Sequence, residues 1–440
     1  MTAPRRGSAR LYRPEAEYPN PGLQIADDDR ARICSLLASL YGATAAEALT
    51  EEVVRLLRVH DAHKTSNAYE QDESFHAGER FSERDVILIT YGDLVVSEDR
   101  PLQTLARVAE EYLQGLVSII HVLPFYPWSS DRGFSVVSYR LVDHDLGTWD
   151  DISALSERFR LMFDGVVNHA SRESRWFEEW RAGHPDYADY FLEFDSPDDI
   201  PFDDLRKILR PRTTPLLSPT TTVNGPRWVW TTFSEDQVDL NFGNPKVLLE
   251  ILSLLLYYVR RGAEVIRLDA VTYLWKELGT PCAHLPQTHA SIKLMRAALD
   301  VVAPHVALVT ETNVPHVDNV SYFGSGEDEA QMVYNFALPP LVLHTFQTGD
   351  ATKLSHWART LEPPSGSTHF LNFLSSHDGI GLMGARGILS EQEILDMCQR
   401  AESHGGLVSM RSDPVHGQSP YELNVTWYSA LNRSDVGEST

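Results

Sequence analysis

Three carboxylates carry the chemistry that this sequence suggests. Asp269, Glu311 and Asp378 each follow a short, mostly apolar run: Glu264-Val-Ile-Arg-Leu-Asp269, Val306-Ala-Leu-Val-Thr-Glu311 and Phe370-Leu-Asn-Phe-Leu-Ser-Ser-His-Asp378. A fourth run, Leu161-Met-Phe-Asp-Gly-Val-Val-Asn-His169, also ends in polar residues. Carboxylates gathered in one site suit glycoside chemistry: one handles the proton of the glycosidic oxygen and another attacks the anomeric carbon. Arg267 lies two residues before Asp269, so on a strand the two side chains point the same way. A guanidinium there favours the ionised carboxylate that a nucleophile needs. The plainer alternative is a structural ion pair. Glu311 suits a general acid if a partly desolvated mouth raises its pKa. Its plainer alternative is an acid in the first turn of a helix. His377-Asp378 and Asn168-His169 complete the set, whereas Asp164, inside its run, reads as a structural support. The argument is joint, because each cluster alone has an ordinary explanation.

The elements that must position these groups are short apolar runs separated by helix-length segments, the pattern of buried parallel strands. Polar groups at the carboxyl ends of such strands are where a β/α barrel builds its site. Seven strands are expected: Asp85–Tyr91, Ser118–Leu123, Leu161–Val167, Val265–Leu268, Val306–Thr310, Gln331–Tyr334 and His369–Leu374. The only alternative for an eighth is Glu422–Tyr428. The fold class is therefore α/β, a (β/α)8 TIM-type barrel without an evident eighth strand. Residues 1–82 form a tail and helical extension. The tail, to about residue 20, is polar, Pro-rich and expected to be disordered. Helix is expected over about 27–62, with Asp27-Asp-Asp29 as a cap, and a polar linker from Asn67 to Glu83. The barrel spans 83–440, with an insertion over 172–226 above its mouth and a loop region over 379–428. A helix is expected over about 101–113, and Val247–Val259 reads as a buried helix, too short for a membrane span of about 20 residues.

The chain has 440 residues and a net charge of −24. So acidic a protein has no excess of Lys and Arg to neutralise nucleic-acid phosphates. An anionic substrate would need a local cationic pocket. Cys34, Cys282 and Cys398 are scattered without metal-ligand spacing, which fits a reducing cytoplasm. The basic start, Met1–Arg10, has no apolar h-region, so it does not read as a secretory signal. No metal spacing or phosphate loop stands out. Phe125-Tyr-Pro-Trp128 and Trp228-Val-Trp-Thr-Thr-Phe233 offer aromatic rings to a sugar, although such clusters are more often core.

Six segments resemble glycoside hydrolase family 13, the α-amylase superfamily, over about 85–431. They are Leu123-Pro-Phe-Tyr-Pro-Trp-Ser-Ser-Asp-Arg-Gly-Phe134, Phe163-Asp-Gly-Val-Val-Asn-His169, Trp230-Thr-Thr-Phe-Ser-Glu-Asp-Gln237, Ile266-Arg-Leu-Asp-Ala270, Thr310-Glu-Thr-Asn313 and Ser376-His-Asp-Gly-Ile380. The resemblance is to the sucrose phosphorylase-like branch. It implies that Asp269 is the nucleophile, Glu311 the acid/base and Asp378 the carboxylate supporting the transition state. It implies that His169, Arg267 and His377 clamp the glucosyl ring, that Asp131 meets its far hydroxyls, and that Phe134, Phe233 and Gln237 complete the donor site. Tyr273-Leu-Trp-Lys-Glu277, His284-Leu-Pro-Gln-Thr-His289, Leu338-Pro-Pro-Leu-Val-Leu-His344 and Ser419-Pro-Tyr-Glu-Leu-Asn424 resemble the glucosylglycerate phosphorylase group of that branch. This places Arg212, Tyr273, Tyr421 and Glu422 on the acceptor or phosphate side.

The activity so implied is retaining phosphorolysis of an α-glucoside by inorganic phosphate, without an organic cofactor or metal. The alternatives are sucrose, sucrose 6-phosphate or glucosylglycerol phosphorolysis, hydrolysis or transglucosylation, and a truncated sugar-binding protein. Neither nucleic acid nor membrane is an expected partner, and a homodimer is compatible with the resemblance. Members of the branch extend past the position equivalent to Thr440 with an eighth strand, an Arg-bearing loop and a C-terminal β domain.

Overall fold

Seven of the apolar runs form seven parallel strands, which follow one another across a single sheet in chain order. A computed structural model describes residues 22–64, 66–413 and 417–432. The tail expected to be disordered lies outside these residues. The strands are Ile87–Thr90, Ile119–Val122, Arg160–Val166, Ala263–Asp269, Ala307–Thr310, Met332–Tyr334 and His369–Leu371. The sheet curls in the manner of a TIM barrel.

Strand side chains alternate between two apolar environments, as the two-residue period requires. Ile119, Met162, Val265, Ala307, Val309 and Met332 belong to one buried cluster. Their neighbours Ile120, Leu161, Phe163, Ile266, Leu268 and Leu308 belong to the larger core, with the helices. The first face continues upward from Val265 to Arg267 and Asp269, and from Val309 to Glu311. Register then aligns the strands: Asp164 lies opposite Arg267, and Val166 opposite Asp269. One alternation therefore buries the sheet and delivers the polar groups to its carboxyl end.

The helical expectations are met in outline. Asp27–Tyr41 and Ala43–Ala62 are helices, broken at Gly42 with φ 83°. The three aspartates occupy the first turn, and the N-cap residue is Ala26, with no side-chain hydrogen bond. They act on the helix dipole rather than as a cap. The expected polar linker contains a helix, Ser66–Glu73. Its Asp72 is paired with Lys64 at 2.5 Å and with His305, and the second of these bonds ties this polar helix to the barrel. Pro101–Tyr112 and the buried Pro245–Arg260 are helices as expected. No described helix is long and apolar enough to cross a membrane.

The seven strands are those expected, and Glu422–Tyr428, the one alternative for an eighth, does not join them. Gly417–Asn424 pairs antiparallel with Leu407–Asp413 and with Ile380–Gly381 in a separate sheet, and Trp427–Leu431 is helical. A hairpin with the preceding strand closes a short loop, which costs far less chain entropy than reaching the barrel edge. Residues 379–428 are accordingly more than a loop region. They include the helix Glu391–Ser403, opened by a capping box of Ser390 and Glu393. Ile380, Leu382, Ile394, Met397 and Leu423 give this part its own core, shared with Leu343. The insertion does not end at 226 either. That boundary falls within the strand Gly225–Trp230, which pairs with Leu217–Thr222 and Glu193–Phe194. A further pair joins His169–Ser171 to Gln237–Asp239.

Candidate active site

Arg267 is the centre around which the polar groups assemble. It is buried, 2% exposed, and its Nη1 donates to Asp164 Oδ1 at 2.5 Å and to Asp269 Oδ1 at 2.9 Å. Its Nη2 lies 3.9 Å from Glu311 Oε2. Asp164 also bonds His121 Nε2 at 2.7 Å. Burial pushes the Asp164 carboxyl up, but His121 and Arg267 outweigh it and hold the group down at about 2. Asp164 is thus the permanently charged support beneath Arg267.

The two carboxylates above this pair differ in how they are held. Burial is the main influence on both and raises both, with Arg267 opposing. Asp269 bonds Arg267 directly. Glu311 sits an ångström farther off, accepts from the Ala270 amide at 3.2 Å, and is pushed up to about 8. The nearby charge of Asp269 adds to that rise. Ala270 has φ 53°, a left-handed conformation that costs a non-glycine residue energy. That turn places its amide under Glu311. No described helix begins at Glu311, since the next starts at His316, so the helix-terminus alternative does not apply.

A second cluster surrounds the mouth. Gln237 Nε2 donates to Asp131 Oδ2 at 2.9 Å, and His169 Nε2 meets the Phe134 carbonyl at 2.9 Å. The His377 ring stacks on Phe134 with centroids 5.2 Å apart. Phe233 lies 5.1 Å from His169 and 5.7 Å, edge-on, from Tyr273. Asp131 and Arg132 both have positive φ, 56° and 45°. The following Gly133 cannot carry a side chain, because a Cβ would fall 2.5 Å from the Pro124 carbonyl oxygen.

The third group comes from outside the barrel. The Arg212 guanidinium sits 5.8 Å from the Phe233 ring, and Ser412 donates to the Arg212 carbonyl at 2.9 Å. Glu422 lies opposite Gly381 in the small sheet. Burial, and then the charge of Asp378, push Glu422 up to about 7. Gly379 permits this approach, since a Cβ there would stand 2.5 Å from the Leu423 carbonyl oxygen.

The candidate residues named from the sequence line one cavity of about 330 Å³, including Asp378, Tyr273, Tyr421 and Glu422; Asn168 is the exception, buried and bonded to Asp239 and Lys276. The cavity also takes in Tyr91, Arg132, Asn313 and Phe336. Alternation was a usable signal for three of them: Tyr91 continues Ile87 and Ile89, Asn313 continues Val309 and Glu311, and Phe336 continues Met332 and Tyr334. Nothing in the sequence marks Arg132. The aromatic clusters behave mainly as core. Phe125 and Tyr126 are fully buried and pack on Phe163, Trp149 and Tyr258. Trp228 and Trp230 pack in the insertion. Only Phe233 of those segments reaches the cavity.

Residues 108–380 match the family described as "Alpha amylase, catalytic domain". A glucosylglycerate phosphorylase of Allomeiothermus silvanus is 52% identical over 360 residues, covering 82% of this chain and 64% of that protein. One of Escherichia coli K12 is 48% identical, over 81% of this chain and 64% of that protein. This chain therefore spans slightly less than two thirds of the length of these curated relatives. The crystal structure of sucrose 6F-phosphate phosphorylase from Thermoanaerobacter thermosaccharolyticum superposes with a TM-score of 0.70 at 27% identity, over 80% of this chain and 72% of that one. With its seven-stranded parallel sheet, its carboxylates at the strand ends and these matches, the chain belongs to the α-amylase catalytic-domain family.

Proposed function

We propose that this chain carries the catalytic barrel of a retaining glucoside phosphorylase acting on glucosylglycerate. One observation carries the reading: a carboxyl group lifted to about 8 sits beside a carboxylate bonded to Arg267 at 2.9 Å. At neutral pH Glu311 then holds a proton, which suits a general acid. Asp269, tied to the guanidinium, is the ionised nucleophile. Glu311 protonates the oxygen of the leaving glycerate while Asp269 forms a β-glucosyl ester. Phosphate attacks the anomeric carbon from the opposite face, with Glu311 now the base; the bond to Asp269 breaks, its carboxylate is freed, and α-glucose 1-phosphate leaves. Asp378 faces the positive charge that develops on the ring. His169, Arg267 and His377 hold the ring, Asp131, Phe134, Phe233 and Gln237 surround it, and Arg212, Tyr273, Tyr421 and Glu422 meet the acceptor or phosphate. The relatives' names support glycerate as the acceptor, and the Arg212 cation suits an anion in a chain of net charge −24. The sheet fits seven strands of an eight-stranded TIM-type barrel.

The test is incubation of the protein with glucosylglycerate, with and without phosphate. The reading requires phosphate-dependent release of glycerate and the α anomer of glucose 1-phosphate. Glucose release independent of phosphate would identify a hydrolase, and a β product would refute retention.

A further inference from the structure

A smaller cavity of about 180 Å³ adjoins the main one and shares Tyr273 and Tyr421 as its wall. Three guanidinium groups line it, those of Arg210, Arg386 and Arg411, against a single carboxylate, Asp318. Arg210 is the informative member. It is 7% exposed, and its hydrogen-bond partners are all neutral oxygens. These are the Thr214 carbonyl and hydroxyl and the carbonyls of Pro215, Thr231 and Thr232. Its Nε is buried without a partner. Among the described residues no carboxylate forms an ion pair with it. A buried charge is costly unless an opposite charge compensates it. Arg386 donates to the Pro420 carbonyl at 3.2 Å, and Arg411 to Ser419 Oγ at 3.1 Å. Those bonds anchor both side chains to the small antiparallel sheet. Arg210 comes from the insertion, so two separate parts of the fold bring their cations to one hollow.

We propose that this hollow is a second binding site, for a small oxyanion, next to the catalytic cavity. Its chemistry is that of inorganic phosphate or a short carboxylate such as glycerate: compact, negatively charged and able to accept several guanidinium hydrogen bonds at once. The site goes beyond the phosphorylase reading, because it requires only an anion and no turnover. It shares Thr272, Tyr273, Asn313, Val314 and Tyr421 with the main cavity, so an anion held there lies next to the acceptor side.

Isothermal titration tests this in the Arg212→Ala background, which removes one acceptor-side cation from the main cavity and leaves Arg132 and Arg267 in place. Phosphate and glycerate are titrated separately, with glycerol as the neutral control. The site predicts that one or both anions bind and that glycerol does not. Adding Arg386→Gln and Arg411→Gln together should raise the anion Kd at least about tenfold. These residues are preferred to Arg210, whose loss would release the loop it ties together, and an unchanged melting transition establishes that the variant folds. Tighter binding of phosphate would identify the site as a phosphate station, and tighter binding of glycerate as an acceptor station. Anion Kd values within about twofold of each other with and without the two arginines, or no anion binding up to about 10 mM, would overturn the proposal. A chain that binds anions here yet forms no glucose 1-phosphate would retain this site and lose the phosphorylase reading.

Discussion

Replacing Glu311 with Gln separates the proton of this side chain from its shape. Gln fills the same volume and still accepts from the Ala270 amide, seen at 3.2 Å, but it cannot ionise. Burial lifts Glu311 from 4.5 to about 8. Between those values the folded chain keeps a proton that the unfolded chain has released, so stability falls as pH rises through the window. At about 1.4 kcal/mol for each pH unit between the two values, the penalty above it is on the order of a few kcal/mol. Glu311→Gln should therefore match the wild type near about pH 4 and exceed it at about pH 9, read by urea denaturation. Rate should move the other way. Loss of the general acid should lower kcat/KM on glucosylglycerate by about 100- to 10,000-fold, or roughly 3–5 kcal/mol of barrier. An aryl α-glucoside, whose phenolate leaves without a proton, should lose far less. Wild-type activity on glucosylglycerate should decline above about pH 8, and the variant should lack that limb. A stability difference that ignores pH, or equal loss on both substrates, would refute the reasoning.

Other perturbations probe the neighbouring groups. Asp269→Asn should abolish transfer, by several powers of ten, while circular dichroism and melting stay close to wild type; near-normal turnover would remove it from the nucleophile's role. Asp164→Asn should destabilise the fold by roughly 3–5 kcal/mol, less any compensation from Asp269, because Arg267 loses a buried partner at 2.5 Å. Urea denaturation measures that cost, and a change within about 0.5 kcal/mol would show that Arg267 does not depend on it. Arg212→Ala should raise KM for glucosylglycerate or phosphate about tenfold to a hundredfold and leave donor-site labelling by a glucosyl analogue little changed. Unchanged kinetics for every anionic substrate would make Arg212 a structural residue of the insertion.

The sequence alone determined the strands and the direction in which their side chains face. Apolar runs of strand length admit few other folds, and the two-residue period that sends Val265 into the sheet's inner cluster sends Arg267 and Asp269 to the same face. Asp269, Glu311 and His169 could be placed together from the sequence because they sit on, or just beyond, those regular elements. What tertiary structure alone decided is how far groups on different elements stand from one another. The Arg267–Asp269 pair follows from two-residue spacing on one strand, but the 3.9 Å from Arg267 to Glu311 is set by strand register and the left-handed turn at Ala270, and no spacing in the chain encodes it. The burial that separates Glu311 from an ordinary carboxylate has the same origin. The small antiparallel sheet was read as loop or as an eighth strand, because a short alternating run does not say which edge it will pair with. That pairing brings Tyr421 and Glu422 to the cavity, and it sets Arg411 across a small hollow from Arg210, about 200 residues earlier in the chain.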